Sequence, residues 1–220
     1  SIVHARRRVR AGDIIPCYRR ILHKKDGRIM ADNTLFSLTG RRALVTGASR
    51  GIGLTLARGL GQSGAKIVLN GRNPEPLETA REMLQREGLD VVTAPFDVTD
   101  QEAVIAGVEK IEHEHGPIDI LINNAGIQRR APLDQFSRTD WDALIATNLN
   151  AVFFVGQAVA RHMLPRGRGK IVNICSVQSE LARPGIAPYT ATKGAVKNLT
   201  KGMATDWARH GLQINGLAPG

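Results

Sequence analysis

A tyrosine and a lysine stand four residues apart in Tyr189-Thr190-Ala191-Thr192-Lys193, a spacing that puts both side chains on one helix face, one turn apart. A phenol is a poor proton donor or acceptor near neutral pH, because its ordinary pKa is about 10. An ammonium one turn away favours the phenolate and draws such a group towards working range. Ser176 comes thirteen residues before Tyr189, directly after Lys170-Ile171-Val172-Asn173-Ile174-Cys175. That apolar run reads as a buried strand, so Ser176 falls at a strand's carboxyl end, where open α/β sheets bind ligands. Pro184, Gly185 and Pro188 mark a loop before the helix that carries Tyr189 and Lys193. A hydroxyl, a phenol and an ammonium converging on one crevice suit hydride transfer to or from a carbon bearing oxygen. Taken alone, a Tyr/Lys pair more often marks a solvated helix face, and a strand-end serine more often satisfies backbone. The elements upstream decide between these readings.

From residue 42 onward, short apolar runs alternate with amphipathic stretches. The pattern predicts strands over 43–45, 66–69, 90–94, 118–122 and 171–175, with a last one near 212–216. Helices are expected over 52–60, 76–87, 101–115 and 189–210, with a long, bent helical region over about 139–163. Strands alternating with helices imply βαβ units, hence an α/β fold: a doubly wound, Rossmann-like parallel sheet in one domain. Directly after the first of these strands comes Thr46-Gly47-Ala48-Ser49-Arg50-Gly51-Ile52-Gly53. Its glycines allow a tight turn and let the backbone approach a pyrophosphate at a helix N-terminus. About 20 residues further on, a carboxylate would bond the ribose 2′-hydroxyl of NAD. This chain has Asn70-Gly71-Arg72-Asn73 instead. Arg72, with Arg50 inside the glycine turn, suits a 2′-phosphate, so NADP(H) is the expected cofactor.

Composition bounds the rest. The 220 residues are 42% hydrophobic and suffice for one substantial core. No apolar run approaches the roughly 20 residues that span a bilayer, so no membrane partner is expected. Cys17 and Cys175 give no disulfide framework, which fits a reducing cytoplasm, and Cys175 reads as a small core residue. The net charge of +10 is concentrated at one end: residues 1–29 hold nine Lys and Arg against two Asp, leaving +3 for residues 30–220. Residues 1–29 are therefore read as a basic extension, non-native or disordered, and no nucleic acid is expected to bind through the fold. Residues 30–220 form the catalytic domain.

With these residues in place, the chain resembles the short-chain dehydrogenase/reductase family in its Thr-Gly-x-x-x-Gly-x-Gly form. The resemblance runs from about Leu35 to Gly220 and includes Asn123-Asn124-Ala125-Gly126, Asn148, Asp97 and Pro219-Gly220. It implies catalysis by Ser176, Tyr189 and Lys193, with Asn148 holding a water that relays protons between Lys193 and solvent. It implies cofactor contacts from Gly47, Ser49, Arg50, Gly51, Ile52, Gly53, Arg72, Asp97, Asn124, Ala125, Gly126, Tyr189, Lys193, Pro219 and Gly220. Asn123 would support the central strands, and no metal is implied. The stretches 124–130 and 174–183 are similar to the branch that interconverts D-gluconate and 5-keto-D-gluconate, so a small sugar acid is the expected substrate. Arg129 and Arg130 follow a strand's carboxyl end, where a guanidinium can pair with a carboxylate. Gln178, Glu180 and Ser176 are positioned to bond hydroxyls. A different keto-sugar acid, or a 3-oxoacyl carrier thioester, remains an alternative substrate. The family continues beyond the last motif with a substrate-covering segment, a further strand and subunit contacts that make homo-oligomers. The chain is therefore expected to be truncated before the last strand, and an inactive nucleotide-binding fragment is the further alternative.

Overall fold

The computed structural model describes residues 22–25, 28–31 and 33–220, with side chains from residue 35 onward. Ser1–Ser37 and Leu38–Gly220 are separate compact units. In the first, β1 (Leu22–Lys25) pairs antiparallel with β2 (Arg28–Ala31). The sequence assigns no elements to this segment, and most of residues 1–29 lie outside the described residues.

The second unit carries the βαβ alternation. Its elements are β3 (Arg42–Val45), α1 (Gly51–Gln62), β4 (Lys66–Gly71), α2 (Pro74–Arg86), β5 (Val91–Pro95) and α3 (Gln101–Glu114), then β6 (Ile120–Asn123). After β6 come α4 (Arg138–Ile145), α5 (Ala151–Arg166), β7 (Gly169–Ile174), α6 (Ala187–Trp207) and β8 (Leu212–Leu217). Six strands form one parallel sheet in the order β5-β4-β3-β6-β7-β8. The order reverses between β3 and β6. Loops leaving those two strands diverge to opposite sides of the sheet and open a crevice at the carboxyl ends.

Two-residue periodicity sorts the strand side chains into two buried layers. Leu44, Val68, Leu121 and Ile171 face Val108 of α3 and Val155, Val159 and Met163 of α5. Their neighbours Ala43, Val45, Ile67, Leu69, Ile120 and Ile122 face the other way, towards Ala57 of α1 and Leu77 and Leu84 of α2. Helix α1 buries Gly53, Ala57 and Gly61. Small residues at that four-residue spacing let its backbone lie close against the sheet. Asp100 caps α3 by accepting from the backbone N–H groups of Glu102 and Ala103, satisfying two orphan donors.

Between α4 and α5, residues Ala146–Asn150 form a single π turn, which joins the two helices into the continuous stretch Arg138–Arg166. Its length and composition are sufficient to cross a membrane. Asn148, Asn150 and Gln157 interrupt its apolar runs, so none of those runs reaches bilayer length. Val152, Val155, Val159 and Met163 on this stretch are buried in the domain's own core, as in the core helix of a packed domain.

One polar seam crosses the centre of the sheet. Asn123 of β6 donates to the Asn173 side-chain oxygen at 2.9 Å, and Asn173 of β7 donates to Thr200 Oγ1 of α6 at 2.9 Å. All three side chains are buried, so each must be paired or carry a desolvation cost. The seam fixes α6 over the carboxyl half of β7. Asn173→Ala is expected to cost about 1–3 kcal/mol, because it strands a buried donor on Asn123. Urea unfolding measures it, and a loss below about 0.5 kcal/mol would show that the seam contributes little.

Candidate functional site

The crevice is a cavity of about 830 Å³, within the range of small-molecule sites. Its floor is the glycine turn after β3. Gly47 has φ +62, and a Cβ there would meet the Ala125 backbone at 2.8 Å. Gly53 is packed more tightly still, since a Cβ would lie 2.4 Å from the Gly47 carbonyl oxygen and 2.5 Å from Asn124 Nδ2. Thr46 bolts this turn to the end of β6. Its hydroxyl donates to the Ile122 carbonyl and accepts from the backbone N–H groups of Asn124 and Ala125, both at 3.0 Å. Asn124 returns the tie through Nδ2, to the carbonyls of Thr46 at 2.9 Å and Gly47 at 3.1 Å.

This floor fits a dinucleotide. Helix α1 begins at Gly51, and its N-cap, Arg50, makes no side-chain cap bond. Its first-turn N–H groups are thus left for an anion. Gly47, Ser49, Arg50, Ile52 and Gly53 line the cavity here, while Gly51 has φ +57 and open space around it. Beyond the end of β4, Arg72 is exposed and stands 3.9 Å from the Asp97 carboxylate. Asp97 also lines the cavity, and it accepts from the backbone and hydroxyl of Thr99 at 2.9 and 2.8 Å. Asn124, Ala125, Gly126, Pro219 and Gly220 complete the lining at the central strands.

The opposite wall carries Ser176, Tyr189 and Lys193. Ser176 follows β7 and caps a 3-10 turn, Val177–Ser179, its Oγ accepting from the Gln178 N–H at 3.1 Å. Acceptance leaves the hydroxyl proton for another partner. Ser179 Oγ in turn donates to the Lys193 carbonyl at 3.0 Å, joining this turn to α6. Tyr189 is half-buried, and the Lys193 ammonium lies 5.8 Å from its ring centroid. Lys193 is only 5% exposed and donates to the Ile174 carbonyl at 2.6 Å. Burial pushes its amine below the usual lysine range, partly offset by the neighbouring Cys175 sulfur. Burial likewise pushes the Cys175 thiol up, which makes it a poor nucleophile and matches its reading as a core residue.

Asn148 sits in the π turn, wholly buried. Its amide spans the Ile127 backbone, accepting from the N–H at 2.8 Å and donating to the carbonyl at 2.9 Å, with a longer bond to Thr192 Oγ1 at 3.3 Å. A Cβ on Gly126 would lie 3.4 Å from Asn148 Oδ1 and 3.9 Å from Lys193 Nζ, so Asn148, Gly126 and Lys193 share one packed corner. Single π turns of this kind recur at functional sites.

The expected substrate residues separate. Arg129 lines the cavity beside Gln128 and is ion-paired to Asp140 at 3.0 Å. Arg130 is exposed and is not part of the lining. Gln178 is buried outside the cavity. With its amide nitrogen facing the Leu181 carbonyl and its oxygen facing Arg183, both at 3.2 Å, its polar groups are used within the loop. Glu180 is ion-paired to Lys197 and also stands outside the lining. The 3-10 turn Val177–Ser179 accounts for the difference: it coils the chain directly after Ser176, and both side chains lie outside the cavity lining. Two residues escaped sequence reasoning. Thr46 was seen only as part of a motif, and Asn70, wholly buried, lines the cavity while donating to the carbonyls of Ala94 and Phe96. A lone polar residue ending the apolar run of β4 was the available signal.

The known proteins similar to this chain include dehydrogenases and reductases. A family model described as short chain dehydrogenase matches residues 41–220. The chain is 78% identical over 191 residues to a gluconate 5-dehydrogenase of Gluconobacter oxydans (strain 621H), covering 87% of this chain and 75% of that protein. It is 54% identical over 188 residues to a 5-keto-D-gluconate 5-reductase of Escherichia coli (strain K12), covering 86% and 74%. A crystal structure of a gluconate 5-dehydrogenase from Burkholderia cenocepacia J2315, in complex with NADP and tartrate, superposes with a TM-score of 0.82 at 63% identity, over 84% of this chain and 72% of that one.

The buried amine makes a test available without any ligand. Because burial holds Lys193 below the ordinary 10.5, the unfolded chain binds a proton that the folded chain lacks between the lowered value and 10.5. Stability therefore rises with pH through that window, and the charging penalty is fully present below it. Lys193→Met is expected to unfold at higher urea than the parent near neutral pH, the gap closing as pH climbs towards the ordinary lysine value. Parallel pH curves for the two proteins would show that the amine carries no such penalty.

Proposed function

The chain belongs to the short chain dehydrogenase family, and on that premise we propose that it is an NADP(H)-linked oxidoreductase interconverting D-gluconate and 5-keto-D-gluconate. The supporting observation is one cavity lined by a glycine turn on its floor, Ser176, Tyr189 and Lys193 on its wall, and Arg129 at its edge. The two curated relatives bear names for the two directions of this reaction, and the solved neighbour holds NADP.

When bound, the cofactor supplies the hydride acceptor or donor at its nicotinamide ring, and the protein supplies position and proton transfer. The residues that would hold it are Gly47, Ser49, Arg50, Gly53, Asp97, Asn124 and Gly126, with Arg72 and Arg50 taking the 2′-phosphate. In oxidation, the C5 hydroxyl of gluconate gives its proton to the phenolate oxygen of Tyr189 as the C5–H bond yields a hydride, and C5 becomes a carbonyl. Ser176 donates a hydrogen bond to the same oxygen and steadies the charge that develops there. The Lys193 ammonium, one turn below the phenol, stabilises negative charge on the Tyr189 oxygen. Asn148, clamped on Ile127, keeps the corner beside Lys193 in shape and is suited to hold a water for proton relay. Arg129 pairs with the sugar-acid carboxylate.

Turnover of 5-ketogluconate with NADPH, on this chain and on one extended to the length of its relatives, is the direct measurement. A 3-oxoacyl thioester serves as the competing substrate, and preference for it would replace the sugar-acid reading. Tyr189→Phe is expected to lower kcat by about 10²–10⁴-fold, the usual worth of a positioned acid or base, while NADPH binding holds within a few-fold. Near-parental turnover in that variant would end the assignment. Arg72→Ala is expected to weaken NADPH binding by about 10–100-fold, the worth of one charge-assisted contact, and to leave NADH binding nearly unchanged. Equal loss for both cofactors would mean that Arg72 does not read the 2′-phosphate.

A further inference from the structure

We propose that Asp140 is a positioning residue for the substrate, acting by fixing the pose of Arg129. The inference rests on the sugar-acid reading above and deepens it. Asp140 lies in the first turn of α4, where it is itself held. Its backbone N–H donates to Ser137 Oγ at 3.0 Å, and Ser137 Oγ donates to its Oδ2 at 3.0 Å. This reciprocal cap fixes the carboxylate to the start of a helix rather than to a loop. The other oxygen, Oδ1, accepts from Arg129 Nε at 3.0 Å, and Arg129 Nη1 donates to the Gln128 carbonyl at 3.3 Å.

An arginine gripped through Nε turns its opposite, end-on edge outward. Among the described residues, neither donor of Arg129 Nη2 is used, and one donor of Nη1 remains. Those are the groups that form a two-pronged contact with a carboxylate. Both Arg129 and Asp140 are about half exposed, at 49% and 43%, so the pair adds little to folding. Its effect falls on the rotamers of a long side chain, which would otherwise be ordered when the substrate binds.

Charge and position make opposite predictions here. Asp140 places a negative group near an incoming anion. Were charge its main effect, removing it would strengthen substrate binding. Positioning predicts the reverse. Asp140→Asn keeps the Oδ1 acceptor and loses the charge, whereas Asp140→Ala loses both.

The experiment begins with NADPH-linked reduction of 5-ketogluconate by the parent protein, with no turnover overturning this inference and the sugar-acid reading together. With turnover present, Asp140→Ala is expected to raise the KM for 5-ketogluconate by about 5–20-fold, a loss of rotamer ordering and aim. Parental values of kcat and NADPH affinity should accompany it. Asp140→Asn should stay within about two-fold of the parent on all three. A fall in KM in either variant, or an unchanged KM in Asp140→Ala, overturns the inference and leaves the sugar-acid reading standing. Should Asp140→Ala fail to fold, the Asn variant decides: an unchanged KM supports positioning, and a lowered one overturns it.

Discussion

Thr46 joins the two strands whose outgoing loops part company, and the crevice exists in its present shape because of that tie. A single hydroxyl reaches three backbone groups at the end of β6, at 3.0–3.3 Å. Asn124 answers with two bonds into the glycine turn. The turn is thereby held at a separation that only glycine tolerates, since a methyl group on Gly53 would overlap the Gly47 carbonyl. Hydrogen bonds of this sort stabilise by about 1 kcal/mol each in net terms. Their geometric effect is larger, because they set how near a pyrophosphate can come to the start of α1.

The opposite wall is built on a different constraint, the burial of a cation. Lys193 gives up hydration for one short bond to the Ile174 carbonyl and a place beneath the Tyr189 ring. Desolvation makes this unfavourable for folding, as strained or desolvated groups at functional sites commonly are. The surrounding structure carries the cost: β7 and α6 are locked together by Asn173–Thr200 and by Ser179 reaching the Lys193 carbonyl. The amine is thereby kept beside the phenol. Stability is surrendered at one residue, and a buried cation is held against the phenol ring at the cavity wall.

The element alternation, the glycine turn and the residues at strand ends were legible in the sequence because each follows from local periodicity or local backbone demand. Strand after strand matches its apolar run to within two residues, and the long helical region is present, with a π turn over Ala146–Asn150 inside it. The rim was not legible in the same way. Gln178 and Glu180 are expected at the cleft because they follow Ser176 closely, and the 3-10 turn after Ser176 directs them elsewhere. Arg129 and Arg130 are adjacent and chemically alike. Only Arg129 lines the cavity, where Asp140 of α4 pairs with it, while Arg130 is exposed outside the lining.

The sequence by itself determined which groups are present for chemistry and which face of the sheet they approach, since a doubly wound order sends every strand's carboxyl end to one crevice. It determined the anion cradle as well, because glycine spacing is a backbone property. Tertiary structure alone decided which polar residues are spent on the fold and which are left for a ligand. Asn70, Asn123, Asn148 and Asn173 are four asparagines of one composition, and each has its partner set by contacts across tens of residues. Long-range packing, not local propensity, determines where a buried amide finds its hydrogen bonds.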